Sequence, residues 1–441
     1  MFSKTAVLDF IRSSLRPLTG GPTDYDPLLE LIDDARFVLI GEASHGTHEF
    51  YRHRAQITKR LIVEKGFRAV AVEADWPDAY RVNVFVRGQG EDQDSIDSLE
   101  GFQRFPTWMW RNADALDFIG WLRNYNEQNQ ETQTGFYGLD LYSLHASMRA
   151  VLDYLDKVDP EAARRARYRY SCFERFGEDT KAYGYAAGFG LSNTCENEVV
   201  TQWLEMRRRA AELSARDGRL LPDGFFFAEQ NARLVKHAEE YYRSMFAGRI
   251  SSWNLRDRHM AETLDALVHH LGGKSAKVVI WAHNSHLGDA RATEMGERGE
   301  LNLGQLVRQQ YGKQAALVGF TTYTGTVTAA SDWDGPAERK NVRPALPESY
   351  EALLHEVGIP NFLLWLRDRE VASALQRPRL ERAIGVIYLP QSERVSHYFH
   401  ACLPAQFDAV LHIDKTRAVE PLERLAEWET GELPETYPST L

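Results

Sequence analysis

Seven stretches of the chain are apolar at nearly every position and stop abruptly at polar ones. They are RFVLIGE (36–42), RAVAVEADW (68–76), TGFYGLDL (134–141), AKVVIWAHN (276–284), AALVGFTT (315–322), AIGVIYLP (383–390) and FDAVLHID (407–414). Runs of this kind, rich in β-branched residues, predict strands covered on both faces, as in a parallel sheet. Between the first two lies THEFYRHRAQITKRLIVEKGF, with Thr47 placed to cap a helix and Gly66 just past its end. Residues 36–76 therefore predict a βαβ unit.

From about 145 to 270 the period changes from continuous runs to steps of three and four. Val199, Trp203, Met206, Ala210 and Leu213 form one such set; Leu234, Ala238, Tyr241 and Met245 a second; Met260, Leu264, Leu267 and Leu271 a third. Each marks one apolar face of a helix. The pattern predicts an α/β protein with a mostly parallel central sheet flanked by helices. Its core is discontinuous, 1–144 and 271–441, and a large helical insertion, 145–270, covers the active-site cleft. Residues 330–349 read as the clearest long loop, and neither internal repeats nor low-complexity segments interrupt the pattern.

Length and charge narrow the function classes. At 441 residues the chain exceeds the size of one typical core, so two domains or one with an insertion are expected. A net charge of -11 argues against nucleic acid as the main partner; the expected partner is a small-molecule substrate. The basic run RRARYRY (164–170) reads as a solvated helix face. Cys172, Cys195 and Cys402 are widely separated and form no C-x-x-C pair, which indicates neither a disulfide framework nor a zinc knuckle and fits a cytoplasmic location. The N-terminal MFSKTAVLDFIRSSLRPL lacks the apolar centre of a signal peptide, and no run of 18 apolar residues predicts a membrane span.

In a parallel sheet, ligands sit beyond the carboxyl ends of the strands. The first run ends at Glu42 and His45, the second at Glu73 and Asp75, the third at Asp140, and the fourth at His283, Asn284 and His286. If these strands are neighbours, those side chains converge on one cleft, with Asp140 and Asn284 as substrate-binding candidates. His45 is the candidate general base: a neighbouring Glu fixes its tautomer and favours the imidazolium. Gly41, Ala43 and Gly46 leave room around it. His283 and His286 are candidates to stabilise an oxyanion or to donate to the leaving group. The helix after GEASHGT adds a local argument, because its apolar stripe, Phe50, Ile57 and Leu61, is completed by Arg54. A guanidinium on a core-facing stripe must snorkel or meet a carboxylate, and Glu42 and Glu73 are the available partners.

Each motif also has a plainer reading: Glu42 and His45 as turn residues satisfying backbone, Glu73 as a salt-bridge partner, HNSH as a polar loop. The same His and Glu cluster offers ligands for a divalent metal, although no H-E-x-x-H or cysteine cluster accompanies it; the expected site needs no cofactor. A cleft that only binds a small molecule is a third alternative. No G-x-S-x-G elbow supports a serine nucleophile. FQRFPTWMW (102–110) reads as core by default or as the wall of an apolar pocket, and SHYFH, with His397 and His400, as structural.

Taken together, IGEASHGTHEF with Arg54, AVEADWPDAYRVN with Glu73, FYGLDLYSLHAS with Asp140 and WAHNSHLGD with His283 and His286 resemble the erythromycin esterase family over roughly 30–430. The resemblance implies an α/β protein with a helical subdomain and a deep cleft. It implies a hydrolase in which His45 activates water against an ester or lactone, without a covalent intermediate, and in which Glu42, Arg54, Glu73, His283 and His286 line the site. It does not imply that erythromycin is the substrate.

Overall fold

Six of the seven apolar runs lie side by side as parallel strands in the computed structural model, which describes residues 2–216, 223–246 and 248–431. Met1 and 432–441, at the ends of the expected core, lie outside the described residues, as do 217–222 and 247 within the expected insertion. In chain order the strands are β1 (Arg16–Pro17), β2 (Phe37–Ile40), β3 (Ala69–Asp75), β4 (Gly135–Asp140), β5 (Val278–Trp281), β6 (Ala315–Ala329), β7 (Glu338–Val342), β8 (Asn361–Trp365), β9 (Arg379–Arg382), β10 (Tyr398–Ala401) and β11 (Ala409–Thr416). The order β11-β6-β2-β5-β3-β4 is parallel throughout. β8 and β7 add to β11 and β6 antiparallel, and β1 pairs with β8, so the sheet is mostly parallel but mixed.

Alternation along the strands decides which helices cover which face. Phe37, Leu39, Ala71, Leu139 and Ile280 share a core with Leu234, Ala238, Met260, Leu264 and Leu267, from the two long helices Gly224–Ser244 and Arg249–His270. Val38, Ile40, Val70, Val72 and Trp281 share the other core with Phe50, Ile57 and Leu61 of the helix His48–Lys65. Both faces are covered, which is why the runs show no polar alternation. Between Leu144 and His270 the described chain is helical and carries no strand. No described helix is long and apolar enough to cross a membrane.

Three expectations are corrected. Residues 383–390 form no strand; Ile384 and Tyr388 are buried in a small cluster with Val327 and Val342, and the segment is tied down by isolated bridges, Ser44 to Ile384 and Ala330 to Ile387. Its apolar character comes from burial without a ladder. The expected loop 330–349 contains β7, which pairs with an extension of β6 that runs on to Ala329. SHYFH, read as structural, enters β10, which pairs antiparallel with β9. Cys172 and Cys195 form a disulfide, so cysteine usage lends no support to a cytoplasmic location; Cys402 is free.

Candidate active site

The turn after β2 is built by close backbone approach. A Cβ on Gly41 would overlap the side chain of Asn284, and one on Gly46 would overlap the carbonyl of Thr328. The room that these glycines leave is therefore filled by the protein itself, not by substrate. The Ser44 and Thr47 hydroxyls pair across the turn, and the helix His48–Lys65 follows, ending at Gly66 with φ at 70°. Arg54 is buried on its apolar stripe, as the pattern requires. Its Nη2 lies 2.8 Å from Glu42 Oε2, and its guanidinium packs over the Tyr51 and Trp281 rings. The other oxygen of Glu42, Oε1, lies 2.9 Å from His45 Nδ1. A carboxylate there accepts, so the hydrogen bond needs a proton on Nδ1.

Glu73 is aimed by an irregularity. The register of β3 against β4 shifts between Val72 and Asp75, inserting one extra residue into β3. The bulge presses its Ala74 and Asp75 carbonyls onto Gly138, where a Cβ would collide with them. Glu73 Oε2 accepts the His283 backbone N–H at 2.9 Å, and Oε1 lies 2.7 Å from Arg256 Nη2. Oε1 is also 3.4 Å from His286 Nε2 and 4.0 Å from His45 Nε2. Burial opposes ionisation of Glu73, yet His286, His45, Arg256 and the His283 amide hold it well below the usual carboxylate range.

The remaining histidines sit in contrasting surroundings. Burial, with His45 adding to it, drives His283 down to about 3, so it is neutral. Its Nδ1 accepts the Ser285 backbone N–H at 3.2 Å, which places its proton on the buried Nε2, on the side of the Ala43 carbonyl. Its ring packs 5.0 Å from that of His45. His286 is lowered by burial but raised by the carboxylates of Asp257 and Glu73, and the carboxylates prevail.

A cavity of about 420 Å³ opens over this cluster and is lined by His45, Glu73, Asp140, His283 and His286. Phe102, Phe105, Pro106 and Trp110 wall it on one side, so FQRFPTWMW is a pocket wall. His397, read as structural, also borders it, although its Nε2 accepts the Leu389 N–H. Of the expected substrate-binding pair, Asp140 borders the cavity with its carboxylate held by Arg256 at 2.7 Å and 3.0 Å. Asn284 does not reach it: its amide donates to the Phe320 carbonyl at 2.8 Å, tying β5 to β6. Arg256, Asp257 and Trp253 escaped the sequence reading. Asp257 stands three residues before Met260, in step with Leu264 and Leu267, the same sign that marked Arg54.

The sequence model of one known family, described as erythromycin esterase, matches residues 62–416. The chain belongs to the erythromycin esterase family. It is similar to the erythromycin esterase type II of Escherichia coli, 22% identical over 422 residues that cover 90% of this chain and 93% of that protein. Among solved structures it is similar to a succinoglycan biosynthesis protein, with a TM-score of 0.75, 22% identity, and 95% of this chain and 99% of that one covered. A mutant of the erythromycin esterase EreC in its open conformation matches with a TM-score of 0.65, 17% identity, and 91% and 95% covered. Both structures share the fold. The erythromycin esterase match begins at residue 62, after Glu42, His45 and Arg54, so the grouping of those three rests on geometry.

Proposed function

We propose that this member of the erythromycin esterase family is a hydrolase that opens an ester or lactone of a small molecule with water activated by His45. The observation that carries the reading is the Glu42 bond to His45 Nδ1, which leaves the Nε2 lone pair on the cavity side. His45 Nε2 takes a proton from water as the hydroxyl attacks the carbonyl carbon, and Glu42 and Glu73 stabilise the imidazolium. The oxyanion that forms takes the proton-bearing Nε2 of His283. The carbon–oxygen bond then breaks as His45 returns its proton to the leaving alkoxide, and the site is restored.

The carboxylates do not fit a metal centre: Glu42 is committed to Arg54 and Glu73 to Arg256. Among the described residues no group of three or more His, Cys, Asp or Glu is arranged to hold an ion. The purified protein, incubated with a panel of esters and lactones that includes macrolides, is expected to release acid and alcohol detectable by mass spectrometry, and His45→Asn is expected to lose this. Binding without product, or an active His45→Asn, overturns the proposal.

A further inference from the structure

His286 is held on three sides by one helix. The helix Arg249–His270 brings Trp253, Arg256 and Asp257 to one spot, because residues three and four apart share a helix face. Trp253 stacks on the imidazole with ring centroids 4.4 Å apart and planes 8° from parallel. Arg256 Nη1 donates toward Nε2 at 3.1 Å. Both Asp257 oxygens lie 3.0 Å from Nδ1. Asp257 is fully buried, and its Oδ1 also accepts the Leu303 backbone N–H at 2.8 Å, which fixes the carboxylate from the far side.

We propose that Asp257 is a positioning residue of the hydrolase: it pins a proton on Nδ1 of His286 and thereby makes Nε2 the nitrogen that faces Glu73. The inference rests on the hydrolase reading above for its meaning, but the pinned proton itself does not depend on it. Two facts support the assignment. A carboxylate can only accept, so a hydrogen bond between it and Nδ1 needs the proton on the ring. On the other side, the guanidinium N–H aimed at Nε2 needs a lone pair there, which the Nδ1–H tautomer supplies.

The consequence reaches His45. Glu73 Oε1 lies between the Nε2 atoms of His286 and His45, at 3.4 Å and 4.0 Å, and bonds Arg256 at 2.7 Å. Were the His286 proton on Nε2, it would meet the Arg256 N–H head-on. Arg256 or the ring would then turn away, and Glu73 would follow. Asp257 thus sets the place of the carboxylate against which His45 becomes charged, acting two groups away from the reacting atoms.

Nitrogen-15 NMR of the labelled, full-length wild-type protein tests the tautomer without any substrate. A proton on His286 Nδ1 with Nε2 bare is expected; a bare Nδ1 overturns the proposal. In Asp257→Asn the Leu303 amide keeps the side-chain oxygen and turns the NH2 toward Nδ1, so the His286 signals should switch to the Nε2–H form. With an ester found by the panel above, kcat should fall roughly tenfold to hundredfold while KM stays near wild type. Asp257→Glu should keep the Nδ1–H form and restore part of the rate. An unchanged kcat in a folded Asp257→Asn whose tautomer has switched overturns the role. Absence of hydrolysis by the wild type sinks the hydrolase reading, yet leaves the tautomer experiment decisive for Asp257.

Discussion

Arg54 and Glu42 form a buried ion pair, 2.8 Å from Nη2 to Oε2, with neither side chain more than 2% exposed. Glu42 therefore faces a cation on one oxygen and His45 on the other, and His45 inherits its orientation from a residue that does not line the cavity. Breaking such a pair by removing one partner costs about 3–5 kcal/mol, because the other charge is stranded without solvent. Arg54→Ala should thus lower the thermal midpoint sharply and abolish hydrolysis. Arg54→Lys keeps the charge without the planar group over Tyr51 and Trp281 and should recover only part of the stability. Scanning calorimetry of both variants checks the order.

Glu42→Gln separates orientation from charge. The amide keeps the shape but presents an N–H that competes for Nδ1, so the His45 proton moves to Nε2, where the base must be bare. The rate should drop about a hundredfold or more, with the folded structure and KM retained. Steady-state kinetics beside circular dichroism distinguishes this from Arg54→Ala, in which the fold itself weakens.

The difference between these residues and Asp257 explains what the chain discloses in advance. Arg54 breaks an apolar stripe beside its own partner, twelve residues from Glu42, so periodicity alone exposes it. Asp257 breaks the stripe of Met260, Leu264 and Leu267 in the same manner, but its partner His286 lies in another element, and only the fold unites them. The six parallel strands are legible because they are covered on both faces. NFLLW (361–365), antiparallel at one side of the sheet, is apolar but holds no β-branched residue, and the charged RLER of β9 gives no such run. Residues 383–390 mislead for the converse reason: burial makes them apolar without pairing them into a ladder.

Removal of metal should leave the reaction intact. Guanidinium groups already neutralise Glu42 and Glu73, and His286 Nδ1 is taken by Asp257. Dialysis against a strong chelator, followed by elemental analysis and assay, should give a metal-free protein with unchanged turnover. A loss that added zinc or manganese restores would sink the metal-free mechanism.

His283 makes stability depend on pH in a defined sense. Burial lowers it to about 3, whereas in the unfolded chain it titrates near an ordinary value of about 6.5. Between those values the unfolded state binds a proton that the folded state refuses. The contribution is therefore fully present above about pH 6.5 and shrinks by at most about 1.4 kcal/mol per unit as pH falls toward 3. His283→Gln cannot take that proton. The stability gap between wild type and variant, from urea titrations at a series of pH values, should narrow on acidification and stay constant above pH 7.

Gly46 offers the most local test of how the turn holds the base. Its backbone is pressed against the neighbouring strand: the Thr328 and Val419 N–H groups both donate to the Gly46 carbonyl, at 3.0 Å and 2.8 Å. A methyl group there would overlap the Thr328 carbonyl, a fixed backbone atom that no side-chain rotation can clear. Gly46→Ala must therefore push the turn away from β6, at a cost of about 1–3 kcal/mol for forced overpacking. Because His45 is the preceding residue, the displacement falls on the Glu42 bond before it reaches the hydrophobic core. Activity should accordingly fall by a larger factor than the modest drop in thermal midpoint suggests. Gly66→Ala is the control, since it strains a left-handed helix end with open space around it and should cost stability while sparing turnover.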